Sequence, residues 1–175
     1  VDCNQCEATT WYNTPCQRIT CKYGPLCWQH TREVNEFVVI KQSEIKGTGF
    51  GLFATRHFPA NKFVSNYNGD HYKSANALKA TYETGVVPKR YRQFDGVAID
   101  ARGSNSGNGR YINDVRGFDP KGVPKVANVG FFGGVASRYR PYQRSRCVVD
   151  VAKGEEFYLD YTAPKNLDFG PPPTT

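Results

Sequence analysis

Apolar residues along this chain come in short runs broken by glycine and polar turns. Phe37-Val38-Val39-Ile40 is a β-rich run, followed by polar Lys41-Gln42-Ser43-Glu44 and then by Gly47-Thr48-Gly49-Phe50-Gly51-Leu52-Phe53-Ala54. This reads as strand, glycine turn, strand. A nucleotide phosphate loop is the rival, but no Lys-Ser/Thr follows the glycines and no helical period comes after them. Lys62-Phe63-Val64-Ser65-Asn66-Tyr67 is a further strand, ended by the turn signal Asn68-Gly69-Asp70. Residues 71–93, with Ala75, Ala77, Leu78 and Ala80 ahead of Gly85 and Pro88, form a helical or irregular insert. Strands are expected again at Val97–Ala101, through Val126–Val129 and Phe131-Phe132, at Cys147–Val151 and at Phe157–Tyr161. A loop at 114–125 and a turn at Ala152–Glu156 separate them. Short strands with frequent turns and little helix predict a mainly-β fold.

The first 31 residues follow a different pattern. They are polar, hold almost no aliphatic residues, and contain five of the six cysteines: Cys3, Cys6, Cys16, Cys21 and Cys27. The first four read C-x2-C-x9-C-x4-C, and a CxxC pair in a tight turn can offer two thiolates to one ion. The expected ligands of a structural zinc are therefore Cys3, Cys6, Cys16 and Cys21, with Cys27 and His30 as alternatives. Disulfides are the competing reading, but five clustered cysteines cannot all pair among themselves. Cys147 stands apart as a buried or idle thiol. The chain thus divides into a cysteine-rich zinc-binding module at 1–31, a main domain at 37–163, and a Pro-rich tail at 164–175. A chain that begins at Val1 and holds no Met reads as an excised domain or processed fragment.

Composition sharpens this only in places. With 175 residues the chain suits one ordinary domain plus a small appendage, and 39% hydrophobic with 14% aromatic content marks it as globular. No apolar run approaches the ~20 residues of a membrane span. A net charge of +7 suits an acidic partner such as nucleic acid. Arg138, Arg140, Arg144 and Arg146 alternate with Tyr139 and Tyr142, and Lys89-Arg90-Tyr91-Arg92 repeats the theme. Such mixtures suit phosphate contact with stacking, or simply a solvated hairpin surface.

The organising stretch is Gly107-Asn108-Gly109-Arg110-Tyr111-Ile112-Asn113-Asp114, with too many Gly and Asn for a strand and too few apolar residues for a helix. It stands between the glycine turn and Gly154-Glu155-Glu156-Phe157-Tyr158-Leu159-Asp160-Tyr161. In this order, together with Tyr67-x-Gly69 and Asn128-Val129, these pieces resemble the SET-domain family of protein-lysine methyltransferases, which use S-adenosylmethionine. The resemblance spans 37–163, and the cysteine knob resembles a reduced pre-SET zinc module.

The resemblance implies a SET-domain (β-clip) fold of short twisted sheets with a pseudoknot. It implies cofactor contact from Thr48, Gly49, Phe50 and Gly51, and from Arg110, Tyr111, Asn113 and Asp114. Tyr161 matches the tyrosine whose hydroxyl sits at the transfer centre, and Tyr67 the channel tyrosine. Phe131, Leu159 and Asn128 match positions near the substrate-lysine channel. The expected activity is S-adenosylmethionine-dependent methylation of a lysine, most readily on a histone tail in the nucleus, with the four arginines facing nucleosomal DNA. Two departures stand out. Asp114 replaces the family's histidine, and no cysteine after Cys147 can build a zinc-bound post-SET clasp, leaving Leu167 and Phe169 either to wall the channel or to form part of a disordered end. The rivals are a non-catalytic chromatin adaptor that keeps the fold, and a secreted disulfide-rich binding module.

Overall fold

The structure is a computed structural model that describes residues 3–10, 12–21, 24–80, 91–94, 97–101, 106–115, 125–135 and 142–161 of the chain. Strands β1 (Asn4–Gln5) and β2 (Ile19–Thr20) form a small antiparallel pair. Helix α1 (Trp28–Glu36) leads into the hairpin of β3 (Val38–Gln42) and β4 (Phe50–Ala54). Then come β5 (Phe63–Tyr67), β6 (Asp70–Tyr72), helix α2 (Ala75–Ala80), β7 (Tyr91–Phe94) and β8 (Val97–Asp100). A 3-10 helix (Asn108–Tyr111) precedes β9 (Asn113–Asp114), β10 (Val129–Val135), β11 (Tyr142–Cys147) and β12 (Tyr158–Leu159).

The expected mainly-β architecture is what forms. Its largest sheet has the order β5-β11-β10-β12-β9. The last strand does not add to an edge: β12 enters between β10 and β9 and runs parallel to both, pairing Leu159 with Val129 and Tyr158 with Asn113. A separate antiparallel sheet orders β6-β8-β7.

The core gathers Val38, Ile40, Leu52 and Ala54 of the hairpin with Phe58, Val64, Tyr67, Ile99, Ile112, Val129, Phe131, Val151, Phe157 and Leu159. Phe58 and Phe157 meet edge to face at 5.2 Å. β3 alternates, turning Val38 and Ile40 inward, whereas β4 is buried on both faces from Gly51 to Ala54.

Three expectations are corrected. The strand expected at 147–151 lies earlier, at Tyr142–Cys147, and Val151 makes only an isolated bridge to Phe58. The arginines of 138–146 hid it: β11 runs between β5 and β10, burying Ser145 while Arg144 is exposed. In the 71–93 insert a short helix forms, but strands flank it at Asp70–Tyr72 and Tyr91–Phe94, and 81–90 lies outside the described residues. Helix α1 was not expected.

The metal ligand set is also corrected. β1 and β2 pair Asn4 with Thr20 and Gln5 with Ile19. That register places Cys3 opposite Cys21, and the two form a disulfide. A CxxC can share an ion from a tight turn, but here it flanks a strand, where alternation sends Cys3 and Cys6 to opposite faces. Cys6 and Cys16 instead turn inward with Cys27, all three buried.

Candidate functional site

The β3–β4 turn is the natural starting point. Gly47 and Gly49 have φ of 84° and 82°, a region that favours glycine. A Cβ on Gly49 would meet nothing within 4 Å, so the backbone here faces open space that a bound group can occupy. Thr48 closes the turn by donating from Oγ1 to Ile45 O at 2.9 Å. Phe50, half-buried, meets Tyr12 edge to face at 6.3 Å.

Behind the turn sits Glu156, only 2% exposed. Its Oε1 accepts from Ser43 Oγ at 2.6 Å and Asn113 Nδ2 at 3.0 Å. Its Oε2 accepts from the Glu44 N–H at 2.8 Å and the Tyr158 hydroxyl at 2.8 Å. A Cβ on Gly51 would lie 2.0 Å from Glu156 Oε1, so the strand approaches this carboxylate as closely as only glycine permits. Burial and then the neighbouring Glu156 and Glu44 carboxylates hold the Tyr158 phenol well above its ordinary range, and it stays a donor. The Tyr158 hydroxyl also reaches Glu44 Oε2 at 3.2 Å, where Lys125 Nζ forms an ion pair at 2.8 Å. Glu156 is the residue the sequence reading left without a role. Its four partners come from three separate segments, and only the Gly-Glu-Glu motif pointed toward it.

Asn113 also donates to Phe50 O at 3.0 Å, so its amide ties the glycine turn to Glu156. Asn128 is occupied similarly. It donates to Glu156 O at 2.9 Å and accepts from the Tyr158 N–H at 2.7 Å, stitching β12 to the chain before β10. Both expected site asparagines thus position backbone directly.

The 3-10 helix passes against β5. A Cβ on Gly107 or Gly109 would lie 2.3 or 2.7 Å from Asn66 O. The Gly107 N–H is held by Asn68 Oδ1. Arg110 donates to Ala101 O at 3.1 Å and to the Tyr111 hydroxyl at 2.9 Å. Tyr161 is 44% exposed, and its hydroxyl donates to Ile112 O at 2.7 Å while its N–H donates to Asp114 Oδ1 at 3.3 Å. Tyr67 and Phe131 are buried and meet edge to face at 6.1 Å, and Leu159 is buried beside Val129. Of the expected channel residues, Tyr67, Phe131 and Leu159 fall within one core, with two rings in contact, while Asn128 is half-buried outside it. Phe50 and Tyr111 also wall a cleft of about 290 Å³ completed by Tyr12, Arg18 and Glu33.

Among the basic residues, Arg144 is exposed, and Arg146 lies with its guanidinium 3.7 Å from the Phe132 ring centroid. Arg138, Arg140, Leu167 and Phe169 lie outside the described residues.

The N-terminal cluster is the second site. Ligand atoms of Cys6, Cys16, Cys27 and His30 all lie within 4.8 Å of one another, a set that can bind zinc. Zinc bonds of about 2.3 Å to sulfur and 2.0 Å to nitrogen give tetrahedral edges of roughly 3.5–3.8 Å. His30 Nδ1 is 3.3 Å from Cys6 Sγ and 3.4 Å from Cys27 Sγ, close to that figure.

A sequence model described as the SET domain matches residues 49–162. Among solved structures, the chain is similar to the Chaetomium thermophilum polycomb repressive complex 2, at 20% identity over 72% of this chain, with a TM-score of 0.54. CpSET8 from Cryptosporidium is similar at 22% identity over 74% of this chain, TM-score 0.56. So is ctPRC2 in an autoinhibited conformation bound to S-adenosylmethionine, at 21% identity over 71% of this chain, TM-score 0.53. The chain spans 15% of the first and third of these chains and 59% of the second. No curated protein matches it.

Proposed function

The chain belongs to the SET-domain family, and on that premise we propose that it is a protein-lysine N-methyltransferase drawing its methyl group from S-adenosylmethionine. The observation that carries this reading is the insertion of β12 between β9 and β10. It draws Asn113 and Glu156 to the glycine turn and sets Tyr161 beside Ile112. When bound, the cofactor supplies an activated sulfonium methyl, so the protein's task is positioning.

Gly49, with open space where a side chain would be, lets the backbone approach the cofactor. Asn113 and Glu156 hold that turn in place. Tyr161, its hydroxyl proton given to Ile112 O, presents oxygen lone pairs that can orient an incoming amine. Tyr67, Phe131 and Leu159 supply an apolar wall that disfavours a charged ammonium, which promotes the neutral nucleophile. The substrate we propose is a histone tail in the nucleus, with Arg144 able to meet nucleosomal phosphate, joined by Arg138, Arg140 and Arg146. Residues 1–31 serve as a zinc-stabilised module on the domain at 37–163, with 164–175 as a tail.

A second reading, a non-catalytic adaptor with the same fold, is favoured by one feature. Asp114 replaces the family's histidine and is engaged by the Tyr161 backbone. Incubation with labelled S-adenosylmethionine and core histones or nucleosomes separates the two. Label on a lysine supports the enzyme, and cofactor binding or fold without any transfer supports the adaptor.

A further inference from the structure

Helix α1 is short, and its first turn lacks the usual supports. Cys27 at the N-cap makes no side-chain cap hydrogen bond, and the first turn holds no acidic residue. Nine residues fall below the roughly 12 that an isolated helix needs, so this one depends on contacts outside its own hydrogen-bond ladder. Cys27 and His30 occupy the two positions that a capping box joins by reciprocal hydrogen bonds, the N-cap and the third helical residue. Here they offer Sγ and Nδ1, 3.4 Å apart, to one ligand set with Cys6 and Cys16. The Cys27 N–H donates to Cys6 Sγ at 3.2 Å, fixing the chain that enters the helix.

The helix is then tied to the main domain further along. Arg32 donates to Ser106 O at 3.0 Å. Glu36 Oε2 accepts from Ser65 Oγ at 2.9 Å and from Asn108 Nδ2 at 3.0 Å. These partners sit in β5, which carries Tyr67, and in the segment that passes against it.

We propose that a single zinc ion held by Cys6, Cys16, Cys27 and His30 acts as the N-terminal cap of α1. Through Arg32 and Glu36, α1 carries that constraint to β5 and to residues 106–111. Glu36 is thus a positioning residue, acting through Ser65 and Asn108. The proposal rests on the zinc reading of the cluster; its consequence for turnover rests on the methyl-transfer reading.

The test is metal analysis and native-state hydrogen exchange on the whole chain, with and without chelator. The expected result is one zinc per chain. Its removal should speed exchange by about tenfold both in the first turn of α1 and in residues 106–111, while β3–β4 changes little. His30→Cys, which keeps four ligands, should hold zinc and protection. Glu36→Ala should keep the zinc and the first turn of α1 but lose protection in 106–111. Glu36→Gln should restore it, since one amide oxygen can accept from both Ser65 and Asn108. Should a ligand variant fail to fold, the chelator series on the native chain supplies the same contrast. Zinc that is bound but whose removal leaves 106–111 unchanged overturns the coupling and leaves the zinc reading standing. A chain with no zinc overturns both. Turnover, read separately, bears on methyl transfer alone.

Discussion

At Glu156 two oxygens accept four hydrogen bonds, from Ser43, Glu44, Asn113 and Tyr158. An amide could not accept on both sides, so Glu156→Gln would turn an N–H group toward buried donors. The expected cost is about 3 kcal/mol, measured as a shift in the urea midpoint. Glu36 offers a test of pH. Burial raises its carboxyl above the ordinary range, offset in part by Ser65, Asn108 and Arg32. The folded state then holds a proton that the unfolded state has released, so this group's contribution to stability falls as pH rises from the unfolded to the folded value. Glu36→Gln removes that fall. Its stability relative to the parent should rise with pH across this carboxylate window, and a constant difference from acid to neutral pH would contradict the assignment. Little of this was legible in the sequence, because Ser43 and Asn113 lie 113 and 43 positions from Glu156.

The elements were easier to read where alternation was regular. β3, β4 and β5 fall close to where hydrophobic pattern and glycines put them, and β12 is a shorter piece of its expected strand. α1 was missed because Trp28–Glu36 shows no clean apolar stripe, and its anchors are polar contacts with distant segments. β11 was displaced because one of its inward residues, beside Cys147, is the polar Ser145, whose hydroxyl donates to Ser65 O at 2.7 Å. The 3-10 helix gives a sharper test. A methyl at Gly107 would sit 2.3 Å from a backbone oxygen that cannot swing away. Gly107→Ala should therefore destabilise by about 2–3 kcal/mol, read in the melting temperature, and more than Gly24→Ala, where a methyl would meet nothing within 4 Å. The cysteines show the opposite limit. Their spacing pointed to zinc, but the strand register, invisible in the spacing, diverted Cys3 and Cys21 to a disulfide.

For the molecule as a whole, the order of weak motifs was more informative than any one of them. It foretold the family and the mainly-β fold, because each motif answers to a backbone contact the fold must make. Substrate choice lies in surfaces that pattern does not encode. Leu159, expected near the substrate-lysine channel, is buried and has no hydroxyl to hold water. On the proposed methyl transfer, the chain is therefore expected to pass beyond one methyl, and mass spectrometry of a peptide after long incubation should find di- or trimethyl product, whereas exclusive monomethylation would refute this. The most direct test of the central claim is transfer of labelled methyl from S-adenosylmethionine to core histones by the native chain and by Tyr161→Phe. The expected result is label on lysine from the native chain and a loss of about a hundredfold or more in the variant, with fold and cofactor binding retained. Full activity in Tyr161→Phe, or no transfer by a folded, cofactor-binding native chain, would contradict it.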